Sequence, residues 1–147
     1  MKKLIFTFII LISGIVYSQD WKTNFDEAKT IASKESKNII LVFSGSDWCA
    51  PCIKLDRSIW QSEEFKKASA ENWVLLKADF PKKKANLLPE EQRKANNELA
   101  EKYNTEGSYP KVVILNPEGK ILGILGYKNV SPTEYIEMIK SFETSEK

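Results

Sequence analysis

A chain of 147 residues has the length of one domain, since single domains usually span roughly 100–200 residues. Hydrophobic residues make up 42% and charged residues 29% of it, a balance typical of globular proteins that excludes disordered and fibrous classes. The formal net charge is +2, there is no histidine, and there are two cysteines. These counts exclude a catalytic triad with histidine, a histidine-ligated metal and a zinc site built from the cysteines of one chain, so we expect no metal.

The first residues have the pattern of a signal peptide. Lys2 and Lys3 precede an apolar stretch over residues 4–16, which is shorter than the roughly 20 residues that span a membrane. Ser18 supplies a small residue for cleavage at its carboxyl side. We therefore predict a cleavable signal peptide over residues 1–18, with an uncleaved membrane anchor as the alternative.

Cleavage before Gln19 would leave one domain, residues 19–147. This domain has equal numbers of basic and acidic residues, because the leader carries Lys2 and Lys3 and no acid. A neutral domain gives no reason to expect nucleic acid or another polyanion as a partner. The predicted location is the periplasm or the exterior of the cell.

From residue 24 onward, the sequence predicts helices and strands in alternation. Asn24, Ser62 and Ser131 are suited to cap helices, and residues 39–43 form a continuous apolar run typical of a strand buried on both faces. Residues 116–119 form a turn with Pro and Gly that makes the last two strands an antiparallel pair. In chain order, the predicted elements are a helix over 25–34, a strand over 39–43, helices over 50–59 and 65–68, a strand over 73–78, a helix ending near 103, strands over 111–115 and 120–125, and a helix over 132–142. The class is therefore α/β.

The reactive chemistry is concentrated in the sequence Trp-Cys-Ala-Pro-Cys at residues 48–52, between a buried strand and a helix. A cysteine at a helix N-terminus has its thiolate stabilised by unpaired amide groups and by the helix dipole, which makes Cys49 the nucleophile. Cys52 lies one turn deeper on the same face, where it can attack a mixed disulfide formed at Cys49 and act as the resolving thiol. A structural disulfide and a metal site shared by two chains are the alternatives. A disulfide that closes so short a loop, however, would stabilise the fold very little.

These residues resemble the Trp-Cys-x-Pro-Cys signature of the thioredoxin family, and the order of elements is similar over residues 39–142. The sequence from Asp47 to Cys52 and the short capped helix after it look most like the thioredoxin-like proteins of the bacterial envelope, including the periplasmic domain of transmembrane thiol-electron carriers. The resemblance implies an α/β thioredoxin-like three-layer sandwich, with a central mixed sheet and helices on both faces. It also implies that Cys49 and Cys52 form a redox-active disulfide and that the protein uses no other cofactor.

The resemblance assigns further residues around the cysteines. Tyr109 and Pro110 match the family's cis-proline, and the residue before that proline offers backbone hydrogen bonds to an extended client peptide. Trp48 is expected to shield the disulfide and to contact the substrate. Ala50 and Pro51 place no charge between the cysteines, which favours a reducing couple nearer to about −270 mV than to about −120 mV.

Phe43 departs from the family pattern. Thioredoxins carry a buried aspartate six residues before the first cysteine, which is thought to accept the proton of the resolving thiol, and Phe43 stands at that spacing here. An acid at this position would be expected near Cys52. Without it, Lys77, Asp47 or water would have to accept the proton.

Residues 81–97 form a charged excursion within the connection between Asp79 and Pro110, which is longer than in the family. The lysine run over residues 82–84 is predicted to be a solvated face, with a partner-binding patch as the alternative. The excursion as a whole is either decoration or a partner-specific rim beside the site.

The sequence therefore predicts an exported thiol-disulfide oxidoreductase that reduces or reshuffles disulfides in client proteins. A reductant in an oxidising compartment needs a continuous source of electrons, and a membrane-embedded thiol carrier is the expected donor. The alternative is a thioredoxin-like module that holds a peptide in the groove beside Pro110 and turns over few disulfides.

Overall fold

Residues 18–144, described by a computed structural model, contain five strands and five α-helices in the predicted alternation. In chain order, the elements are β1 (Trp21–Lys22), α1 (Phe25–Glu35), β2 (Asn38–Ser44), α2 (Ala50–Leu55), α3 (Glu63–Asn72), β3 (Trp73–Asp79), α4 (Glu90–Tyr103), β4 (Lys111–Leu115), β5 (Ile121–Leu125) and α5 (Pro132–Glu143). A π-helical turn (Asp56–Trp60) follows α2, and a 3-10 turn (Lys84–Asn86) precedes α4. Every predicted helix and strand is present, whereas β1 is too short for a sequence pattern to reveal it.

The signal peptide predicted over residues 1–18 lies outside the described residues, apart from Ser18. Among the residues described, no helix is both long enough and apolar enough to cross a membrane.

The five strands form one mixed sheet in the order β1-β3-β2-β4-β5. Strands β1 and β2 are parallel to β3, whereas β4 is antiparallel to both β2 and β5. The mixed sheet and the antiparallel hairpin are therefore confirmed. The central strand β2 is paired on both sides, and its residue Val42 lies opposite Lys77 of β3 and Val112 of β4.

Helices cover both faces of the sheet, and each face has its own hydrophobic core. Because side chains alternate along a strand, neighbouring residues of β2 belong to different cores. Ile40 and Val42 pack with residues of α2, α3 and α5. Ile39, Leu41 and Phe43 pack with residues of α1 and α4. Full burial of each such side chain contributes about 1.5–3 kcal/mol to the stability of the fold. The two cores confirm the three-layer arrangement.

The predicted caps fix three helix starts. Asn24 Oδ1 accepts a hydrogen bond from an amide in the first turn of α1 at 2.9 Å. Ser62 Oγ accepts one from the amide of Phe65 in α3 at 3.2 Å. Ser131 and Glu134 form a reciprocal capping box at the start of α5. Each cap contributes about 1 kcal/mol, because it satisfies an amide that has no partner within the helix.

Helix α2 is shorter than predicted. It is α-helical to Leu55, and the chain then continues in the π-helical turn, where the amide of Gln61 donates to the carbonyl of Asp56 at 2.9 Å. The wider turn leaves both Ile59 and Trp60 buried in the core.

Candidate active site

The two cysteines lie where the central strand β2 leads into helix α2. After Ser44 ends the strand, the carbonyl of Gly45 accepts hydrogen bonds from the amides of Trp48 at 3.2 Å and Cys49 at 2.9 Å. Cys49 is thereby the N-cap of α2, and its Sγ accepts a hydrogen bond from the amide of Cys52 at 3.3 Å. A disulfide bond of 2.06 Å joins Cys49 to Cys52. After reduction, the same amide would stabilise a thiolate on Cys49.

Burial does not distinguish the two cysteines, but their surroundings do. Cys49 exposes 4% and Cys52 exposes 3% of its surface. Cys52 also lines a cavity of about 340 Å³ together with polar side chains that include Asp56 and Lys77. A group that takes up the proton of Cys52 is therefore to be sought in this cavity.

Phe43 is directed away from the cavity. Its side chain packs with α1 and α4 in the core on the opposite face of the sheet. Because strand side chains alternate between faces, Val42 lies on the same face as Ser44, which lines the cavity, and it is opposite Lys77 in the adjacent strand. The expectation that an acid at position 43 would lie near Cys52 is therefore wrong.

The carboxylate that lines the cavity with Cys52 belongs to Asp56, which the sequence analysis did not select. Its Oδ1 lies 3.6 Å from Nζ of Lys77, and both side chains are partly exposed. Asp56 stands four residues after Cys52, a spacing that places the two on one helix face, and this relation is the signal that could have identified it. Such a carboxylate can accept a thiol proton directly or through water.

Replacing Asp56 by asparagine is expected to slow the attack of Cys52 on a mixed disulfide at Cys49. The amide keeps the shape but cannot accept a proton, so the rate constant at pH 7 should fall about tenfold. The difference should shrink as the pH rises, because hydroxide can then remove the Cys52 proton without a carboxylate. Stopped-flow single turnovers with a model disulfide would measure the rate.

Two control variants test the assignment of Asp56. Asp56→Glu should restore most of the rate, and Glu64→Gln, which changes an exposed carboxylate of α3, should leave it unchanged. A loss in Asp56→Asn that is the same at every pH would contradict a role in proton transfer.

Asp47, another candidate for this proton, holds the 81–97 excursion instead. Its carboxylate accepts hydrogen bonds from the amide of Lys82 at 2.9 Å, the amide of Lys83 at 3.0 Å and the side-chain amide of Asn86 at 3.0 Å. These hydrogen bonds, that from the Lys82 amide first, lower the pKa of Asp47. Asp47 therefore ties the excursion to the loop that carries Cys49.

The NMR chemical shifts of the Lys82 and Lys83 amide protons are expected to change with pH as Asp47 titrates. Because its folded pKa is lowered, the stabilisation it provides is fully present above the usual aspartate pKa of about 3.9 and is lost as the pH falls through the folded value. An NMR titration of both amides should give an apparent pKa below about 3.9. Asp47→Ala should abolish that titration and speed exchange of the two amide protons, whereas an unchanged exchange rate would contradict the anchoring role.

Three aromatic rings lie together, and one of them belongs to Trp48, which precedes Cys49 in the chain. Trp48 is 39% exposed, and its Nε1 donates a hydrogen bond to the carbonyl of Phe80 at 2.7 Å. The ring of Tyr109 lies edge-on at 5.5 Å from the rings of both Trp48 and Phe80. Partial burial raises the pKa of the Tyr109 phenol. A Cβ at Gly45 would lie 2.3 Å from the indole, so glycine is required for Trp48 to occupy this position.

The remaining predicted residues are Pro110, which follows Tyr109, and the two residues between the cysteines. The peptide bond between Tyr109 and Pro110 is cis, which confirms the expectation drawn from the resemblance. Ala50 and Pro51 are exposed in the first turn of α2, between the two sulfurs in the chain. The ring of Tyr109 thus meets Trp48, next to Cys49 in the chain.

Comparisons with known proteins place this arrangement among its relatives. Residues 20–117, two thirds of the chain, match the sequence profile described as thioredoxin-like. The chain belongs to the thioredoxin-like family. With its disulfide at a helix start, this family member is a thiol-disulfide oxidoreductase.

Two similar proteins come from Chlamydia pneumoniae. The "Disulfide bond reductase DsbH" is 38% identical over 121 residues, which cover 82% of this chain and 70% of DsbH. The "Thioredoxin-related protein DsbJ" is 26% identical over 106 residues, which cover 72% of this chain and 30% of DsbJ. Of these two proteins, only DsbH is similar enough to this chain to show the family.

Solved structures agree with the predicted fold. A structure of a DsbH oxidoreductase has a TM-score of 0.78 at 36% identity, over 84% of this chain and 83% of that one. The oxidised C-terminal domain of DsbD from Neisseria meningitidis has a TM-score of 0.53 at 20% identity, over 79% of this chain and 90% of that one. At that identity the DsbD domain shows the fold alone, and the thioredoxin-like fold is confirmed.

Proposed function

We propose that the Cys49–Cys52 pair reduces or reshuffles the disulfides of client proteins outside the cytoplasm. The observation that carries this proposal is that the two sulfurs have different surroundings. Cys49 Sγ caps a helix and receives an amide hydrogen bond, whereas Cys52 borders a polar cavity with Asp56 and Lys77. The first position favours a nucleophilic thiolate, and the second favours proton removal from the thiol that resolves.

In the reductive direction, the Cys49 thiolate attacks one sulfur of the client disulfide, and the other client sulfur leaves as a thiolate. Cys52 then loses its proton and attacks the Cys49 sulfur of the mixed disulfide, which expels the second client sulfur. Two electrons pass to the client, whose thiolates take up protons, while the Cys49–Cys52 bond forms again. A thiol donor has to reduce this bond before the next cycle.

Two observations support reduction over oxidation. Ala50 and Pro51 put no charged group between the cysteines, so no side-chain charge in that turn stabilises the reduced thiolate. DsbH, which shares 38% identity with this chain, carries the name of a reductase. A reduction potential near the thioredoxin value of about −270 mV is expected.

Client contact is assigned to the surface formed by Trp48, Tyr109 and Pro110. The Trp48 indole is exposed beside the nucleophile, and Tyr109 precedes the cis-proline, where its backbone can pair with an extended peptide. Ala50 and Pro51 modulate the site through the turn between the sulfurs. No metal or other cofactor takes part in this scheme.

Export and electron supply complete the proposal. The apolar segment within residues 1–18 supports cleavage after Ser18 and a periplasmic or secreted location. Because such a compartment is oxidising, a reductase there depends on electrons brought from inside, and a membrane-embedded thiol carrier is the proposed donor. N-terminal sequencing of the protein from an envelope extract would test the cleavage site.

Reduction of insulin disulfides driven by dithiothreitol tests the function. We expect turnover well above the uncatalysed reaction, and a Cys49→Ser variant that stays at the uncatalysed rate. A measured reduction potential then decides between reductase and oxidase. A folded wild-type protein that binds client peptides without accelerating insulin reduction would instead support the peptide-binding module.

A further inference from the structure

An open cleft of about 710 Å³ is lined by Trp48, the neighbour of Cys49 in the chain, and by residues of the 81–97 excursion. We call it the aromatic cleft; it is lined by Trp48, Phe80, Pro81, Lys82, Asn97 and Tyr109, with charged side chains at its edge. Trp48 and Tyr109 also belong to the proposed client surface. A client that reaches Cys49 through this surface therefore lies at the mouth of the cleft.

The apolar part of the aromatic cleft consists of three aromatic rings and Pro81. Tyr109 contacts Trp48 and Phe80 edge-on, both at 5.5 Å between ring centres. Nζ of Lys82 lies 3.8 Å from the centre of the Trp48 ring, a cation–π contact. Edges and faces of rings in this arrangement offer favourable partners to a further aromatic ring.

The second wall of the cleft is held in place before any client arrives. Asp47 binds the amides of Lys82 and Lys83, as described above. On the α4 side, Asn96 Nδ2 donates to the carbonyl of Asp79 at 2.8 Å, and Gln92 Nε2 donates to Asn96 Oδ1 at 2.8 Å. A wall fixed by such bonds loses little conformational freedom on binding, which favours recognition over simple decoration.

The edge of the cleft carries charges of both signs. The lining includes the basic residues Arg93 and Lys94 and the acidic residues Glu90 and Glu91, and none of these four forms an ion pair within residues 18–144. The third acidic residue, Asp79, already accepts hydrogen bonds from Ser46. A mixed edge gives no strong preference for an acidic or a basic client, so selection falls to the aromatic rings.

We propose that the aromatic cleft binds an aromatic side chain of the client that flanks its disulfide-bonded cysteine. The inference rests on the proposed function and deepens it, because it gives the excursion the role of a client-selecting wall. The occupant is an extended client segment whose cysteine meets Cys49 while the neighbouring ring enters between Tyr109, Phe80 and the α4 wall.

A pair of disulfide peptides tests the proposal. The peptides are identical except that the residue next to the attacked cysteine is Trp in one and Ser in the other. With the wild-type protein, kcat/KM should be about tenfold higher for the Trp peptide. Asn97→Trp, which fills the cleft from the exposed face of α4 without removing an active-site group, should abolish this preference.

Matched controls separate this inference from the proposed function. Glu101→Trp adds the same side chain to an exposed position of α4 outside the cleft and should keep the preference. Glutathione disulfide, which has no aromatic ring, should react equally with all three proteins.

Equal rates for both peptides with an active wild-type protein would overturn the cleft assignment and leave the function intact. Failure to reduce either peptide or glutathione disulfide above the Cys49→Ser background would overturn the function itself. A dimer in sedimentation that Asn97→Trp disrupts would assign the cleft to a second copy of the chain and overturn the proposal.

Discussion

Replacing Cys52 by serine is expected to turn the protein into a trap for its clients. Cys49 still caps helix α2 and still attacks, but no second thiol remains to expel the client. Mixed disulfides should therefore accumulate, and insulin turnover should fall to the uncatalysed rate. Non-reducing gels of envelope extracts, followed by mass spectrometry of the bands that disappear on reduction, would detect the trapped clients.

Cys49→Ser is the matched control for the trap, since it removes the other sulfur from the same turn. It should trap no clients, because Cys52 lies within the helix and borders the cavity that it shares with Asp56, not the proposed client surface at Trp48 and Tyr109. Equal trapping by the two variants would contradict the assignment of Cys49 as nucleophile. Mass spectrometry of the trapped bands would also show whether an aromatic residue flanks the attacked cysteine of each client.

Local sequence signals were sufficient for most of the fold and for the reactive residues. Asn24, Ser62 and Ser131 cap the helices that they were expected to start, because a cap depends on residues only three positions apart. The positions of the cysteines were predictable for the same reason, because the strand, the turn and the helix that hold them are consecutive in the sequence. Short-range chemistry of this kind can be read from sequence alone.

The position of Phe43 could not be predicted in the same way. Residues 39–43 are all apolar, so the strand shows no alternation that would assign a residue to one face. Counting back from Cys49 also crosses the turn after Ser44, whose geometry the sequence does not fix. A difference of one residue in that turn moves a side chain to the other face, and Val42 rather than Phe43 lies on the face of the sheet that holds the cavity.

The excursion and Asp56 depended on contacts that are distant in sequence. Asp47 binds Lys82 and Lys83 across the site, and Asp56 meets Lys77 on a different strand. Neither pairing follows from a local pattern, since acidic and basic residues are frequent throughout this chain. Only the folded arrangement distinguishes the aspartate that anchors a loop from the aspartate that shares a cavity with a thiol.

Aspartate substitutions at Phe43 and Val42 are expected to have different effects on catalysis, although both destabilise the protein. Phe43→Asp should lower the free energy of unfolding by about 3–5 kcal/mol, because it leaves a cavity and buries a carboxyl group in an apolar core. Burial raises the folded pKa of that carboxyl group, so a further penalty for ionising it is absent below the unfolded pKa of about 3.9 and grows as the pH rises toward the folded value, whereas the cavity penalty is the same at every pH. Urea unfolding at pH 4 and pH 7, compared with wild type, would measure the difference.

Val42→Asp places its carboxyl group on the side of the sheet that holds the Cys52 cavity, opposite Lys77. There it can accept the Cys52 proton, so resolution of the mixed disulfide should accelerate near neutral pH and its pH profile should shift to lower pH. Val42→Asn, which has the same shape and no charge, is the matched control and should not accelerate. Phe43→Asp should leave the profile unchanged in the folded protein, because its carboxyl group lies on the opposite face. Stopped-flow measurements from pH 5 to pH 9 would compare the four proteins, and a shifted profile in Phe43→Asp but not in Val42→Asp would reverse the assignment of faces.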